Sequence, residues 1–374
     1  MPPEEPPGVP PDMLADLAEL VLCESYSADL AAVARSAATV AAMGRRILGE
    51  PPESILIDGV THLRWSFGAP RVLVLGHHDT VWPMGTLSTH PWSVTDGIAR
   101  GPGVFDMKSG LVQAFHALAA LPSLDGVTLL VTGDEELGST TSRTLIEDCA
   151  RGLAATFVLE ASADGGALKT ARKGVSRYEL VVRGRAAHAG LEPEQGVNAG
   201  VELAHQVIAI AAMAEGATTV TPTLLSAGTS PNTVPATARI RVDVRVPDQA
   251  AQERVDALMR GLTPTLAEAR LELIGGPNRP PLEPASSRAL FELAEGIAGD
   301  LGIGPLTGIA VGGGSDGNFT AGIGCPTLDG LGAVGGGAHA DHEHVVLAEM
   351  PRRTSLVREL VRAVLDGETG RGAG

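Results

Sequence analysis

The sequence predicts an α/β fold in which a mostly parallel sheet forms one domain and a smaller ferredoxin-like domain (β-α-β-β-α-β) is inserted into it. Three observations predict this. Short apolar runs alternate with helical patterns in the first part of the chain, as in a sheet covered on both faces. Runs in the middle part alternate apolar and polar residues, as in a sheet with one free face. The length of 374 residues is enough for two domains.

The first part of the chain begins with an expected loose arm at residues 1–12, followed by two helical patterns. Apolar residues recur at helical spacing from Met13, and an Ala-rich stretch follows Ser27 up to about Gly49. Short apolar runs of strand type come next, separated by one clear helical segment. The predicted strands are 54–57, 71–75, 127–133 and 155–160, and the predicted helix is 110–121.

The sequence pattern changes at about Gly174, where the alternating runs begin. We therefore expect a discontinuous first domain, residues 1–173 and 284–374, and an inserted domain, residues 174–283. The inserted domain is predicted to contain strands at 177–183, 223–227, 238–246 and 270–274, with helices at 197–214 and 249–269. The first domain is predicted to resume with an apolar run at 327–331 and a helix at 348–366.

Composition argues against several classes of protein. A net charge of −16 and an aromatic content of 3% argue against nucleic acid and against an anionic membrane surface as partners. The three cysteines, Cys23, Cys149 and Cys325, are far apart and odd in number, so we expect no disulfide framework. The acidic, Pro-rich start lacks the features of a signal peptide, and no apolar run reaches the length of a membrane span. We therefore expect a cytoplasmic protein.

Five segments carry histidines or carboxylates where predicted strands or glycine loops end. Each group has an ordinary alternative, since a single acidic residue often caps a helix and a single histidine often only makes hydrogen bonds. Because carboxyl ends of parallel strands meet at one edge of a sheet, the groups together indicate a hydrolase with two metal ions. Zinc suits this donor set, and cobalt or manganese would also fit. The segments are GHHDT (76–80), GPGVFDMK (101–108), GDEELG (133–138), Glu160 and GGGAHADHEH (335–344).

The chain resembles the M20 metallopeptidase family, and most closely its glutamate carboxypeptidase (carboxypeptidase G2-like) branch. The resemblance implies a zinc-peptidase-like catalytic domain with an inserted lid that also forms a dimer. It spans nearly the whole chain. The motifs that carry it, in order, are GHHDTVW, GPGVFDMKSG, GDEELGS, LEAS, GRAAHAG, NTVP with VDVRV, GGGSDGN and GGGAHADHEHV.

The resemblance also implies a set of metal ligands. Asp106 would bridge two Zn²⁺ ions, Asp79 would orient a ligand imidazole, and the Asp106–Met107 bond would be cis. Residue chemistry alone leaves His339, His342 and His344 open as the C-terminal ligand, and the family pattern selects His339. The implied ligands are His77, Asp106, Glu136, Glu160 and His339.

Four further roles follow from the same resemblance. Glu135 would be the general base that takes a proton from water and later gives it to the leaving amine. His188 would stabilise the oxyanion in the partner subunit of a dimer, although it could instead be a local cap. Asn232 and Arg245 would hold the substrate's free carboxylate, although Arg245 could be an ordinary strand-surface cation.

These implications predict a zinc-dependent hydrolase that cleaves the amide bond of a C-terminal amino acid, as a glutamate-type carboxypeptidase does. An N-acyl amino acid deacylase is the alternative on the same scaffold. The expected substrate is a small peptide or an N-acyl amino acid. The expected assembly is a homodimer formed through the inserted domain. A non-catalytic binding protein would be expected to lack a ligand or the base, and the sequence lacks none.

Overall fold

The computed structural model describes residues 9–368. Residues 1–8 of the expected arm lie outside this range, and the first helix already begins at Pro11. The helices are α1 (Pro11–Leu22), α2 (Leu30–Leu48), α3 (Ser109–Ala119), α4 (Arg143–Ala150), α5 (Ala199–Ala211), α6 (Gln249–Arg260), α7 (Pro284–Asp300), α8 (Gly317–Gly322) and α9 (Glu349–Leu365).

The strands of the described chain are short in the N-terminal part and long in the middle part. The first eight are β1 (Glu53–Ile57), β2 (Val60–Ser66), β3 (Val72–His77), β4 (Ser93–Thr95), β5 (Ile98–Arg100), β6 (Val127–Thr132), β7 (Ala155–Val158) and β8 (Leu168–Arg172). The remaining strands are β9 (Gly174–Arg183), β10 (Thr219–Ala227), β11 (Thr237–Val246), β12 (Arg270–Arg279), β13 (Gly308–Val311), β14 (Thr327–Leu328), β15 (Gly335–Gly336) and β16 (His344–Val346).

The chain divides into two compact units. The first unit comprises the described residues up to Ala171, Leu282–Val311 and the residues from Ser315 onward. The second unit comprises Arg172–Pro281 together with Gly312–Gly314. These breaks lie close to the expected boundaries at 174 and 283, but the three glycines were expected in the first domain.

The first unit is built on a six-stranded sheet with the order β1-β2-β6-β3-β7-β14. Strands β6, β3, β7 and β14 run parallel, whereas β1 and β2 are added antiparallel at one edge. The central strands β3 and β6 are buried along their whole length, which explains their uninterrupted apolar sequences. The mostly parallel α/β fold is therefore confirmed.

The second unit is a four-stranded antiparallel sheet with the order β10-β11-β9-β12. With α5 after β9 and α6 after β11, this is the ferredoxin-like arrangement that the alternating pattern predicts. Alternate residues of β11 are buried, from Ala238 to Val246, and they pack with Leu203 of α5 and Val255 of α6. Helix α6 ends at Arg260, nine residues earlier than predicted, because Gly261 and Pro264 follow.

Three helices begin at an acidic or amide side chain that accepts backbone N–H groups. Asp29 caps α2, Asn198 caps α5 and Asp248 caps α6. Among the described residues, no helix is both long enough and apolar enough to cross a membrane.

The topology of the first sheet brings three strand ends together. Strand β3 lies between β6 and β7, and all three run in the same direction. The segments that follow their carboxyl ends therefore share one edge, where polar side chains can converge.

Candidate metal centre

His77 ends β3 and is buried, with an exposed fraction of 1%. Its Nδ1 lies 3.0 Å from the backbone oxygen of Asp79 and 3.3 Å from Asp79 Oδ1. Its Nε2 lies 3.4 Å from both Asp106 Oδ1 and Glu160 Oε1. The contacts at Nδ1 fix the ring so that Nε2 points at two carboxylates, which is the usual way to orient a metal-binding imidazole.

Asp106 lies in the turn Val104–Lys108 that precedes α3. The Asp106–Met107 peptide bond is cis, as predicted. Asp106 Oδ1 faces His77 Nε2 at 3.4 Å, while Oδ2 faces His339 Nε2 at 3.2 Å. Each oxygen of one carboxylate thus faces a different imidazole, which is the arrangement needed to bridge two cations.

The structure brings His339, among the three C-terminal candidates, to the acidic cluster. Its Nε2 lies 3.3 Å from Glu136 Oε2, close to its contact with Asp106. The His344 ring instead makes a 2.9 Å hydrogen bond to the backbone oxygen of His342. His339 has a φ of 61°, a left-handed conformation that costs a non-glycine residue about 1 kcal/mol.

Two overlapping groups of side chains each bring three potential ligand atoms within 4.8 Å of one another. One group is His77, Asp106 and Glu136, and the other is His77, Glu135 and Glu160. All five predicted ligands therefore lie in one cluster, together with the predicted base. Distance alone would allow Glu135 to bind a metal as well as to act as a base.

Asp79 has a wider role than the sequence indicates. Besides facing His77, its fully buried carboxylate accepts the backbone N–H of Glu135 at 3.2 Å and that of Glu136 at 3.3 Å. The hydroxyl of Ser27 donates to Asp79 Oδ2 at 2.7 Å. One carboxylate thus ties the end of β3 to the turn that carries Glu135 and Glu136.

Two further buried carboxylates hold the segment that follows β6. Asp134 accepts the backbone N–H of Thr141 at 2.7 Å and the Ser142 hydroxyl at 2.5 Å. Asp316, in the GGGSDGN segment, accepts hydrogen bonds from the hydroxyls of Thr132 at 3.0 Å and Ser139. Sequence reasoning missed these links, and the Ser/Thr-rich residues after the acidic pair were the available signal.

His78 is adjacent to the predicted ligand but turns away from it. Its Nε2 lies 3.1 Å from the backbone oxygen of Thr61, and burial lowers its pKa to about 4. His78 is therefore a neutral interior side chain.

The cluster fits divalent cations. His77 Nε2 and Glu136 Oε1 are buried atoms without a hydrogen bond, and both belong to residues whose potential ligand atoms converge. Imidazole nitrogens with carboxylate oxygens are the donors that zinc, cobalt and manganese use. Contacts with Asp106 and Glu136 raise the pKa of His339 to about 10, and burial raises the pKa of Glu136 to about 7. In the metal-free protein, protons thus occupy donor atoms that a cation would take.

In the second unit, the structure brings His188 and Asn232 together. The backbone N–H of Ala189 donates to the backbone oxygen of Asn232 at 2.9 Å, and His188 forms a bridge with Thr233. His188 is exposed, and its Nδ1 accepts N–H groups from residues 190 and 191 at 3.1 and 3.2 Å. It therefore has a local capping contact, and when the ring is neutral its proton is on Nε2.

Arg245 lies near the C-terminal end of β11, whereas Asn232 precedes the N-terminal end of that strand. Strand β11 pairs with β9 from Thr237 opposite Arg183 to Arg245 opposite Val175, a span of about 26 Å at 3.3 Å per residue. Backbone hydrogen bonds continue this pairing outward beyond Thr237, toward the residues near Asn232. Within one chain, Arg245 and Asn232 therefore do not lie together. The guanidinium of Arg245 instead makes two hydrogen bonds to Asp243, at 2.8 and 3.0 Å.

Comparison with known proteins gives the family. A model described as Peptidase family M20/M25/M40 matches residues 73–363, which include the whole cluster from His77 to His339. The chain belongs to the M20 peptidase family. As an M20 protein it is a hydrolase of peptide or amide bonds.

Three similar proteins carry different named activities. Carboxypeptidase G2 of Pseudomonas sp. (strain RS-16) is 32% identical over 315 residues, covering 79% of this chain and 74% of that protein. Succinyl-diaminopimelate desuccinylase of Granulibacter bethesdensis is 26% identical over 323 residues, covering 78% and 82%. The crystal structure of aminopeptidase PepT from Bacillus cereus matches with a TM-score of 0.72 at 21% identity, covering 96% and 99%. Family membership alone therefore leaves the substrate open.

Proposed function

We propose that this M20 protein is a metal-dependent carboxypeptidase that hydrolyses the amide bond of a C-terminal amino acid, of the glutamate type. The observation that carries the proposal is the Asp106 carboxylate, whose two oxygens face His77 at 3.4 Å and His339 at 3.2 Å. The 32% identity with carboxypeptidase G2 over most of both chains supports a carboxypeptidase rather than another M20 activity.

Two Zn²⁺ ions, or Co²⁺ or Mn²⁺, are the proposed cofactors. When bound, such ions polarise a carbonyl group and lower the pKa of water, which lets a carboxylate serve as the base. Asp106 would be shared by both ions. The side chains that would hold them are His77, Asp106, Glu136, Glu160 and His339.

Glu135 is the proposed general base. Its carboxylate lies beside His77 and Glu160, while its backbone is held by Asp79. From this position it would take the proton of the attacking water and deliver it to the departing amine nitrogen. Because its backbone is held in place, the side chain has fewer conformations to lose when it takes up the position for this transfer.

His188 is proposed to act in the active site of a partner subunit. Because its Nδ1 accepts two backbone N–H groups, its Nε2 carries the proton and is free to donate to a developing oxyanion. The exposed position of the ring is compatible with contact to another chain. We therefore propose a homodimer formed through the second unit.

Asn232 and Arg245 are the proposed groups for the substrate's free carboxylate. Since Asn232 precedes the start of β11 and Arg245 lies near its end, one chain cannot supply both to the same carboxylate, whereas two chains of a dimer could supply one each. An arginine suits this role because its planar fork matches a carboxylate. Arg245 would have to share its guanidinium between the substrate and Asp243.

An N-acyl amino acid deacylase is the second candidate. The similarity to succinyl-diaminopimelate desuccinylase over 78% of this chain favours it, and the chemistry at the scissile amide would be the same. The two activities differ only in the size and charge of the acyl group.

A substrate panel with zinc-reconstituted protein tests the proposal. The panel contains aroyl-glutamates, dipeptides ending in glutamate, N-acetyl and N-succinyl amino acids, and an aminoacyl anilide as the aminopeptidase control. A carboxypeptidase requires the free carboxylate, so glutamate release should disappear when that group is amidated. Preference for the small acyl groups would favour the deacylase, and cleavage of the anilide alone would reject both.

A further inference from the structure

We propose that Glu343 is a positioning residue that holds Asp106 and His339 at the relative positions needed for metal binding, an inference that rests on the proposed metal centre. Glu343 is buried, with an exposed fraction of 4%. Its Oε1 accepts the backbone N–H groups of Phe105 at 2.8 Å and Asp106 at 3.0 Å. Its role is thus exerted on the backbone of Asp106 and not on the substrate.

The other oxygen of Glu343 completes the set of donors. Oε2 accepts the backbone N–H of Gly103 at 2.9 Å and the indole Nε1–H of Trp82 at 2.7 Å. Four N–H groups around one buried carboxylate offset part of the cost of removing its charge from water, and burial still raises the pKa of Glu343. Three of them come from the turn that presents Asp106, so a side chain without two acceptor oxygens would leave buried backbone donors unsatisfied.

Glu343 also connects this turn to the loop that carries His339. Backbone hydrogen bonds of 2.9 Å, from Ala340 to Gly337 and from Glu343 to Ala340, make the loop compact. Directly after Glu343, β16 pairs with β5. The carboxylate is therefore fixed to the loop that carries His339, and it accepts hydrogen bonds from the turn that carries Asp106. The 3.2 Å approach of His339 Nε2 to Asp106 Oδ2 depends on this link.

Trp82 adds the third segment, because it lies three residues after Asp79. The segments that present Asp79, Asp106 and His339 thus all meet at the carboxylate of Glu343. The sequence motifs give no role to Glu343, whereas these contacts give its side chain a structural role at the candidate metal centre.

Glu202 provides a matched control within the same chain. It is fully buried in the second unit and accepts backbone N–H groups from Thr265 at 3.0 Å and Leu266 at 2.6 Å. Its substitution also removes a buried carboxylate that accepts hydrogen bonds from backbone N–H groups, but outside the candidate metal centre. If Glu343 only stabilised the fold, its substitution and that of Glu202 should therefore have similar effects on Co²⁺ affinity.

The experiment titrates metal-free wild type, Glu343→Gln and Glu202→Gln with Co²⁺, followed by visible absorption, and records the melting temperature of each metal-free protein. Glu343→Gln should weaken Co²⁺ binding by about 10- to 100-fold and alter the absorption spectrum, because Asp106 and His339 are no longer held at the relative positions that metal binding needs. Glu202→Gln should keep the wild-type affinity and spectrum although its melting temperature also falls. Equal Co²⁺ affinity in wild type and Glu343→Gln would overturn the proposal.

Trp82→Phe keeps the inference testable if Glu343→Gln does not fold. It removes one of the four hydrogen bonds, keeps an aromatic ring, and should weaken Co²⁺ binding in the same direction by a smaller factor. Unchanged affinity and spectrum in Trp82→Phe would then overturn the proposal. Failure of wild type to bind Co²⁺ would refute the metal centre itself, and so is distinct from failure of this inference.

Discussion

The backbone N–H of Glu135 donates a 3.2 Å hydrogen bond to Oδ1 of Asp79, and that same oxygen lies 3.3 Å from Nδ1 of His77. One carboxylate oxygen therefore joins the proposed base to a proposed metal ligand. Movement of Asp79 would disturb both at once, so the positions of the proposed base and the proposed metal ligand are coupled through a fully buried residue.

Asp79→Asn should reduce both metal binding and turnover. The amide keeps the shape, but its NH₂ group would face the N–H donors of Glu135 and Glu136 or the ring of His77. We expect zinc affinity to fall by about 10- to 100-fold. Ser27→Ala, which removes only one hydrogen bond to Asp79, is the control and should lose less. Equilibrium dialysis measures the zinc affinity of the two variants, and steady-state kinetics measures their turnover. Wild-type zinc affinity in Asp79→Asn would contradict the coupling.

Substitutions at Glu135 and Glu136 should separate base from ligand. Glu135→Gln keeps the shape but cannot accept a proton, so turnover should fall by about 10³-fold while zinc content stays nearly intact. Glu136→Gln should instead lose zinc. Metal analysis beside steady-state kinetics checks both. If Glu135→Gln retained a tenth of wild-type activity, or lost zinc as Glu136→Gln does, Glu135 would not be the base.

Part of the centre could be predicted because strand ends in a parallel sheet must converge, and the family resemblance supplied the individual ligands. The buried strands β3, β6 and β7 were found as apolar runs, and their order in space placed Glu135, Glu136 and Glu160 near His77. Strand β2 was missed, although Asp58-Gly59, with φ of 49° and 85°, is a hairpin turn signal. The pairing of Arg245 with Asp243 was also foreseeable, since residues two apart on a strand share a face.

The contacts of Glu343, and those of Asp79 with the backbone of Glu135 and Glu136, could not be predicted. They join segments distant in sequence through backbone N–H groups, which carry no residue-specific signal. Spacing identifies which side chains can bind a metal, but the groups that aim them become visible only when the loops are folded.

Metal binding should weaken as the pH falls. Asp106 and Glu136 hold the pKa of His339 at about 10, so its ring is protonated at pH 7 in the metal-free protein and must release that proton to bind a cation. Burial holds the pKa of Glu136 at about 7, so below that pH this carboxyl is increasingly protonated in the metal-free protein. Metal binding then displaces a second proton. The apparent Kd should rise at least about tenfold for each unit of pH lowered. Calorimetry at pH 7 in buffers of different ionisation enthalpy counts the protons, and zero released would contradict this prediction.

The dimer proposal is tested by mixing two inactive variants. His188→Ala and Glu135→Gln should each be nearly inactive alone. After subunit exchange, the mixed dimer has one site with an intact Glu135 and a His188 from the other chain, so activity should recover toward about a quarter of wild type. Light scattering provides the control for assembly. Complete exchange without recovery, or a fully active monomer, would rule out the action of His188 in a partner subunit.

The most direct test of the account is the number of metal ions that one chain binds at saturation. The central claim is that Asp106 is shared by two cations, since its oxygens face His77 and His339 separately. Metal-free protein titrated with Zn²⁺, with bound metal determined by mass spectrometry of the dialysed sample, should reach two equivalents per chain. Asp106→Asn is the matched variant and should fall below two. A wild-type stoichiometry that stays at one under saturating zinc would contradict the shared carboxylate and the hydrolytic centre built on it.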